Sequence, residues 1–487
     1  MKIRPIGFYM GHILRLLAIL MAPPILIALF RREMAAFVGF TVTFVITMLA
    51  GLLLLFFRKP EEGGIRPIEG YVTVALGWIF ISLFGALPFC ISGHIPRFVD
   101  AFFEVVSGFT TTGATILADV EAMPWSLLYW RSFAHWIGGM GVLVFVLAIA
   151  PLNKGNGESL HLLRAESPGP DVGKLTPTMR HTARLLYLIY VVLTVVLIGF
   201  LLAGGMPLFD SVVHAFGTAG TGGFSIKNLS IAAYPSYYLQ GVIAVFMALF
   251  GVNFNQYYYL ITGKRMLALR NEEFRAYVGI MAGATLLIAL NIFFSGVYGN
   301  AFDALHHSFF QVSSIMTTTG YATANFDKWP ELSRLILLGL MVIGASAGST
   351  GGGMKVARIV MLWKSLKVEV KRMLRPRTVK TVMMDGKRVD GSVLRGVYAF
   401  AVAYFLIMAV SILIVALDNF DMDTTVSAVF SCMGNIGPGF SVVGPLGNFG
   451  GLSDLSKIVL TIDMLLGRLE IFPLVMLFSP AVWRKRG

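Results

Sequence analysis

The chain has 487 residues, of which 56% are apolar and only 13% charged, with a formal net charge of +13. Apolar content this high excludes an ordinary soluble domain and predicts a chain that crosses a membrane many times. Two cysteines, Cys90 and Cys432, both inside apolar stretches, exclude a disulfide or thiolate–metal framework. Most Lys and Arg fall in the segments between apolar runs that the topology below puts in the cytoplasm. That is a positive-inside bias, not the footprint of a nucleic-acid binder.

Residues 1–66 hold two apolar runs and are expected to form a two-helix appendage, with Arg31 and Arg32 on the outer side. No small-residue cleavage site follows the first run, so no cleavable signal peptide is expected. Arg58, Lys59 and Arg66 return the chain to the cytoplasm. From here the chain repeats itself. Eight of the twelve positions of FFEVVSGFTTTG, from Phe102, and FFQVSSIMTTTG, from Phe309, are identical. Two looser echoes, TGGFS from Thr221 and NIGPGF from Asn435, follow the same plan. Gly113, Gly223, Gly320 and Gly437 align, with Gly222 as the alternative in the second copy. Gly223 is preferred because Asp210 then precedes it as Asp100 precedes Gly113. A repeat of about a hundred residues organises the chain. It sets the expected units: 67–175 (first repeat and a polar linker), 176–271, 272–389 and 390–487.

Each unit reads as an apolar run, an acidic residue, about a dozen mixed residues, the glycine motif, then another apolar run. A dozen helical residues cover roughly 18 Å, too short for a membrane core of about 30 Å. Such a segment dips in and returns on the same side. Irregular backbone at that depth is tolerated only where it is buried in protein or lines a wet cavity, so four such segments call for one central pathway. The expected fold is therefore an all-α polytopic membrane protein, four outer helix–pore loop–inner helix repeats around a pore, plus the two N-terminal helices.

In the first unit the inner helix carries His135, Gly138, Gly139 and Gly141. The glycines suggest close helix packing, and His135 a satisfied polar side chain rather than a ligand. The third inner segment is interrupted by GASAGSTGGGMK, from Gly344 to Lys355, too glycine-rich to stay helical. It is not a phosphate-binding loop, because Met354 separates Gly353 from Lys355 and the preceding run is a membrane helix. A basic stretch over 364–395 fits a collar on anionic lipid heads or a docking surface for a soluble partner. In the last helix Asp463, Arg468 and Glu470 interrupt an apolar sequence. Arg468 is expected in mid-helix, with Asp463 and Glu470 on a common face.

Carbonyl rings can replace the water shell of a permeating cation, and glycine lets carbonyls converge. Short helices that begin near Asp100, Asp210, Asp303 and Asp421 or Asp423 turn their partially negative C-termini toward the axis. The sign favours a cation.

With TTTGAT, TGGFS, TTTGYA and NIGPGF as its four loops, GGGMK in the third unit and MLLGRLEIF in the fourth, the whole chain resembles the Trk/Ktr/HKT superfamily of potassium transporters. The resemblance implies a potassium-selective filter of Thr111, Thr112, Gly113, Thr221, Gly222, Gly223, Thr318, Thr319, Gly320, Asn435, Ile436 and Gly437. Potassium, and also rubidium, would bind through backbone carbonyls, and the departure from TVGYG implies weaker discrimination against sodium. It also implies a gate formed by Gly344, Ala345, Ser346, Ala347, Gly348, Ser349, Thr350, Gly351, Gly352, Gly353 and Lys355, faced by Arg468. No bound cofactor is implied. The expected setting is a homodimer in the bacterial plasma membrane with both termini cytoplasmic, carrying a cytosolic TrkA-type nucleotide-binding ring. A secondary symporter coupled to sodium or protons stays open as a second class, using Asp463, Arg468 and Glu470. An enzyme is disfavoured, since no His, Cys or carboxylate cluster stands at ligand or triad spacing.

Overall fold

The computed structural model describes residues 3–56, 67–141, 179–375 and 380–483. Three helices open the chain: α1 (Ile3–Leu20), α2 (Ala22–Arg31) and α3 (Met34–Leu54). α1 and α3 approach closely through Gly11 and Gly51, where a Cβ on Gly11 would lie 2.9 Å from the Gly51 carbonyl. The first unit follows with α4 (Pro67–Ile91), α5 (Phe98–Phe109) and α6 (Trp125–Gly139). The second has α7 (Met179–Ala203), α8 (Leu208–Ala219), α9 (Tyr237–Phe250), α10 (Phe254–Ile261) and α11 (Arg265–Arg270). The third has α12 (Glu272–Phe294), α13 (Ala301–Met316), α14 (Glu331–Ile343) and α15 (Val356–Leu374). The fourth has α16 (Gly391–Val415), α17 (Met422–Gly434), α18 (Asp454–Arg468), α19 (Phe472–Leu477) and α20 (Pro480–Trp483).

Among the described residues six helices are long and apolar enough to cross a membrane, or seven if the bent pair α9–α10 counts as one. α7, α12 and α16 leave whole apolar faces exposed, for example Leu188, Val192 and Val195, or Val402, Leu406 and Leu413. A soluble protein would bury such faces, but here they match hydrocarbon. The short helices α5, α8, α13 and α17 are instead buried along most of their length. Each begins as the acidic residues suggested. Asp100, Asp210 and Asp303 lie in the first turn of α5, α8 and α13, and the Asp421 side chain accepts from the Thr424 N–H to cap α17.

In the second, third and fourth units the helices after the glycine loops are interrupted, and in the first the helix ends early. α6 stops at Gly139 and is followed by Gly141 at φ +78°. The rest of the expected first inner helix, and the polar linker, lie outside the described residues. α9 and α10 are bent by 91° across the break at 251–253, where the Asn253 side chain caps the new helix. The third break, between α14 and α15, falls where the glycines predict it.

The fourth corrects the sequence reading. Arg468 is the last residue of α18 rather than a mid-helix residue, and Glu470 (φ +55°) and Ile471 (φ +67°) are left-handed. Pro473, which lacks an N–H and cannot sit inside a continuing helix, is tolerated in the first turn of α19. Asp463 and Glu470 therefore share no helix face. Asp463 accepts from Ser411 Oγ at 2.8 Å, and Glu470 pairs with Arg358 at 2.5 Å.

Within the basic stretch, Met383–Met384 pairs antiparallel with Lys387–Arg388 around Asp385-Gly386. The sequence reading missed this small hairpin, although Asp-Gly is its usual turn.

Candidate ion pathway

The four loops share one backbone. Each short helix ends with a left-handed residue where glycine is usual: Thr111 (φ +56°), Thr221 (+52°), Thr318 (+59°) and Asn435 (+56°). The N–H of that residue bonds back to Gly108, Thr218, Ile315 or Cys432. The next N–H, of Thr112, Gly222, Thr319 or Ile436, bonds to Ser107, Gly217, Ser314 or Ser431. This pair of bonds is a Schellman cap, here repeated four times. Threonine in this region is a genuine outlier. In the first and third loops the hydroxyls brace it, with Thr110 Oγ1 donating to Val106 O and contacting Thr112 Oγ1 at 2.8 Å, and Thr317 Oγ1 doing the same with Ser313 O and Thr319 Oγ1. That is a physical reason for three threonines in a row.

Two residues after each of these left-handed residues the chain turns left-handed again, at Gly113 (φ +81°), Gly223 (+77°), Gly320 (+84°) and Gly437 (+105°). Alternating hands along a strand turn successive carbonyls to one side. A Cβ on Gly113 would strike the carbonyl of Gly222, one on Gly223 that of Thr319, and one on Gly320 that of Ile436. On Gly437 it would lie 2.8 Å from the carbonyl of Thr112. Each glycine thus faces the residue before the next glycine, and the fourth closes on the first. Gly222 takes the place of Thr112, Thr319 and Ile436, so the ring register runs through Gly223. All four ring glycines line a single cavity.

Unlike supports stand behind this ring. Nine residues before each ring glycine come Glu104, His214, Gln311 and Ala428. Glu104 is fully buried against Arg131, with Nη2 at 2.7 Å, and also accepts from Thr115 Oγ1 and the Ile116 N–H, both at 2.9 Å. The Arg131 guanidinium lies 4.0 Å from the Phe224 ring centre, joining the first loop to the second. His214 meets Ser225 Oγ at 3.0 Å, Gln311 has no side-chain partner among the described residues, and Ala428 is apolar. His135 is satisfied, as expected. Its Nδ1 lies 2.7 Å from the Gly108 carbonyl, and Nε2 accepts the Phe224 N–H. A carbonyl can only accept, so the proton sits on Nδ1.

Below the ring, residues 344–355 form a closed loop. The N–H groups of Met354 and Lys355 bond to Val342 and Ile343 at its neck, and Gly344, Gly348 and Gly353 are left-handed. The Gly352 N–H donates to Thr318 Oγ1 at 2.6 Å, so the loop touches the base of the third glycine loop. Lys355 Nζ folds back onto the Gly351 carbonyl. Arg468 joins three units, donating to Thr350 O (2.8 Å) in this loop and to Gly138 O (2.5 Å) and Gly139 O (2.8 Å) at the end of α6.

This arrangement can be set beside known proteins. The family model described as TrkH, cation transport protein, matches residues 38–485. The chain is 36% identical over 489 residues to the Trk system potassium uptake protein TrkH of Salmonella typhimurium, covering all of both. It is 35% identical to Trk system potassium uptake protein TrkG of Escherichia coli, covering 99% of each. The crystal structure of the potassium transporter TrkH from Vibrio parahaemolyticus superposes with a TM-score of 0.89 at 34% identity, over 99% of this chain and 100% of that one. The chain belongs to the TrkH family. It is a multi-pass membrane protein, and its relatives are transport proteins.

In this TrkH-family chain the structure brings together all twelve residues expected at the filter and places the 344–355 loop and Arg468 directly beneath them. Sequence reading missed the Glu104–Arg131 pair. The available signal was a charged residue in each of two apolar segments of one unit, which is costly unless paired. Removing one partner of a buried pair typically costs about 3–5 kcal/mol, whereas replacing both is far milder. Glu104→Leu and Arg131→Leu are each expected to lower the melting temperature sharply. The double variant should recover part of the loss but not all, because Thr115 and the Ile116 N–H lose their acceptor. Thermal melts of the four proteins in detergent check this double-mutant cycle.

Proposed function

We propose that this protein takes up potassium through a channel-like pore whose selectivity filter is the ring of four glycine loops. The observation that carries the reading is the closed cycle in which each ring glycine lies against the carbonyl of the residue preceding the next. Four chain segments contribute peptide carbonyls at one level, the ligand type that can substitute for the hydration of a potassium ion. The C-terminal ends of α5, α8, α13 and α17 lead into the ring, and their partial negative charge favours a cation there. That the relatives are potassium uptake proteins supports potassium as the ion, with rubidium as a surrogate and sodium discriminated less strongly than by a TVGYG filter.

The 344–355 loop, with Arg468, is the gate in this reading. It fills the space below the ring, and its guanidinium is permanently charged, so it both latches the loop and repels a cation. The positive-inside bias supports a plasma-membrane orientation with both termini cytosolic. The basic side chains of α15, Lys364, Lys367, Lys371 and Arg372, then face the cytosol, suited to anionic lipid heads and to a TrkA-type nucleotide-binding regulator. A homodimer belongs to the same reading through the family resemblance. So does the division into units of 67–175, 176–271, 272–389 and 390–487 after the 1–66 appendage.

Purified protein in liposomes tests the proposal. Current should reverse at the potassium Nernst potential alone, and reversal that also follows the sodium or proton gradient would instead favour the symporter. Gly113→Ser and Gly320→Ser each put a Cβ into a neighbouring carbonyl at a left-handed residue. Both are expected to cut the potassium-to-sodium permeability ratio by about tenfold, the equivalent of about 1.4 kcal/mol. Unchanged ratios in both would remove the ring from the pathway.

Arg468→Ala removes the bonds to Thr350, Gly138 and Gly139 together with the charge. Potassium flux without any partner is expected to rise. A thermally weakened protein without extra flux would show that Arg468 braces the fold only.

A further inference from the structure

The loop beneath the ring is also held from its other side, by a residue that its own sequence neighbourhood does not suggest. Glu273 lies in the first turn of α12 and is only 6% exposed. Its Oε1 accepts the Ala347 N–H at 2.6 Å and the Ala357 N–H at 3.2 Å. Ala347 belongs to the outgoing limb of the loop and Ala357 to the first turn of α15. One carboxylate oxygen therefore clamps both ends of the segment. It occupies an N–H that a helix start leaves free, with the charge sign that a helix N-terminus prefers. The same limb is tied to the break in the second unit, since Ser346 N–H donates to Gly251 O at 3.1 Å and Phe254 N–H to Gly348 O at 3.0 Å.

Glu273 is linked in turn to the face opposite the ring. Asp385, at the exposed tip of the Met383–Arg388 hairpin, accepts from the Glu272 N–H and from Asn271 Nδ2, each at 2.7 Å. Lys364 of α15 pairs with Glu272 and donates to the Met383 carbonyl at 2.8 Å. An unbroken series of bonds runs from the hairpin through the start of α12 and Glu273 to the loop, and on through Gly352 N–H to Thr318 of the filter.

We propose that Glu273 is the positioning residue that keeps the 344–355 loop under the ring, and that the Asp385 hairpin is the handle through which displacement on the cytosolic side reaches it. The inference rests on the gate reading of the loop. A carboxylate that merely capped α15 would not need Ala347, and a hairpin that merely ended a loop would not need to fix the turn carrying Glu273.

Rubidium uptake into liposomes holding the purified full chain, with no regulator, tests it in Glu273→Ala, Glu273→Gln, Asp385→Ala and Arg468→Ala. Losing charge-assisted bonds at Glu273 is expected to raise basal uptake by about fivefold or more in Glu273→Ala. Glu273→Gln, which keeps a carbonyl acceptor, should fall between it and the parent, and Asp385→Ala should give about a twofold rise. The rubidium-to-sodium ratio should not change, because the ring is untouched. If Arg468→Ala raises uptake while the Glu273 variants and Asp385→Ala do not, the clamp is overturned and the gate stands. If none of the four raises it, the gate reading itself fails. Should Glu273→Ala not fold, Glu273→Gln and the exposed Asp385→Ala decide, and parental uptake in both overturns the proposal.

Discussion

Everything in this molecule depends on four contacts between a glycine and a carbonyl oxygen. Gly113 against Gly222, Gly223 against Thr319, Gly320 against Ile436 and Gly437 against Thr112 leave no room for a side chain, and each also needs a left-handed backbone. The cycle closes only if all four short helices end at one depth and in one register. That requirement explains the repeated Schellman cap, and it explains why left-handed Thr111, Thr221 and Thr318 are accepted. Strain of about 1–3 kcal/mol at such a residue persists only where the surroundings over-determine it. Here two backbone bonds, and in two loops a pair of threonine hydroxyls, do so.

The parts of this design readable in the sequence are those carried by local chemistry. Thr-Thr-Thr-Gly appears twice, an aspartate opens each short helix, and five glycines between Gly344 and Gly353 rule out a continuous helix. The break at 251–253 was less visible because only Gly251 and the capping Asn253 mark it, within an otherwise apolar run. The break after Arg468 is hidden in the sequence because hydropathy counts Leu469, Ile471 and Phe472 as ordinary span residues. Its single local sign is Pro473. The partners of buried charges were out of reach altogether. Glu104 finds Arg131 on another helix, and Glu470 finds Arg358 across more than a hundred residues, so these pairings exist only once the units have assembled.

A single chain also allows what a ring of identical subunits does not, a common ring on unlike supports. At the position occupied by the Glu104 salt bridge in the first unit, the others have a hydrogen-bonded His214, a Gln311 without a side-chain partner among the described residues, and an apolar Ala428. The glycine and the cap are repeated because ring closure demands them. The side chains behind the ring differ because ring closure places no demand on them. This separates the ring geometry, which is the same in all four units, from the side chains that brace it, which vary from unit to unit.

The interruptions beneath the ring follow from the same accounting. A helix that stops inside a membrane leaves carbonyls and N–H groups that hydrocarbon cannot satisfy. Here the breaks satisfy one another. The 251–253 break exchanges bonds with Ser346 and Gly348, and Arg468, at the fourth break, takes the carbonyls of Gly138, Gly139 and Thr350. Arg468 is therefore held by groups that exist only because the helices are broken, and its charge sits just below a ring whose helix ends are partially negative. In the proposed reading an ion is thus favoured at the ring and opposed immediately below it by the same set of residues. In that reading the loop and the guanidinium move together, since one side chain bonds both Thr350 of the loop and the end of α6.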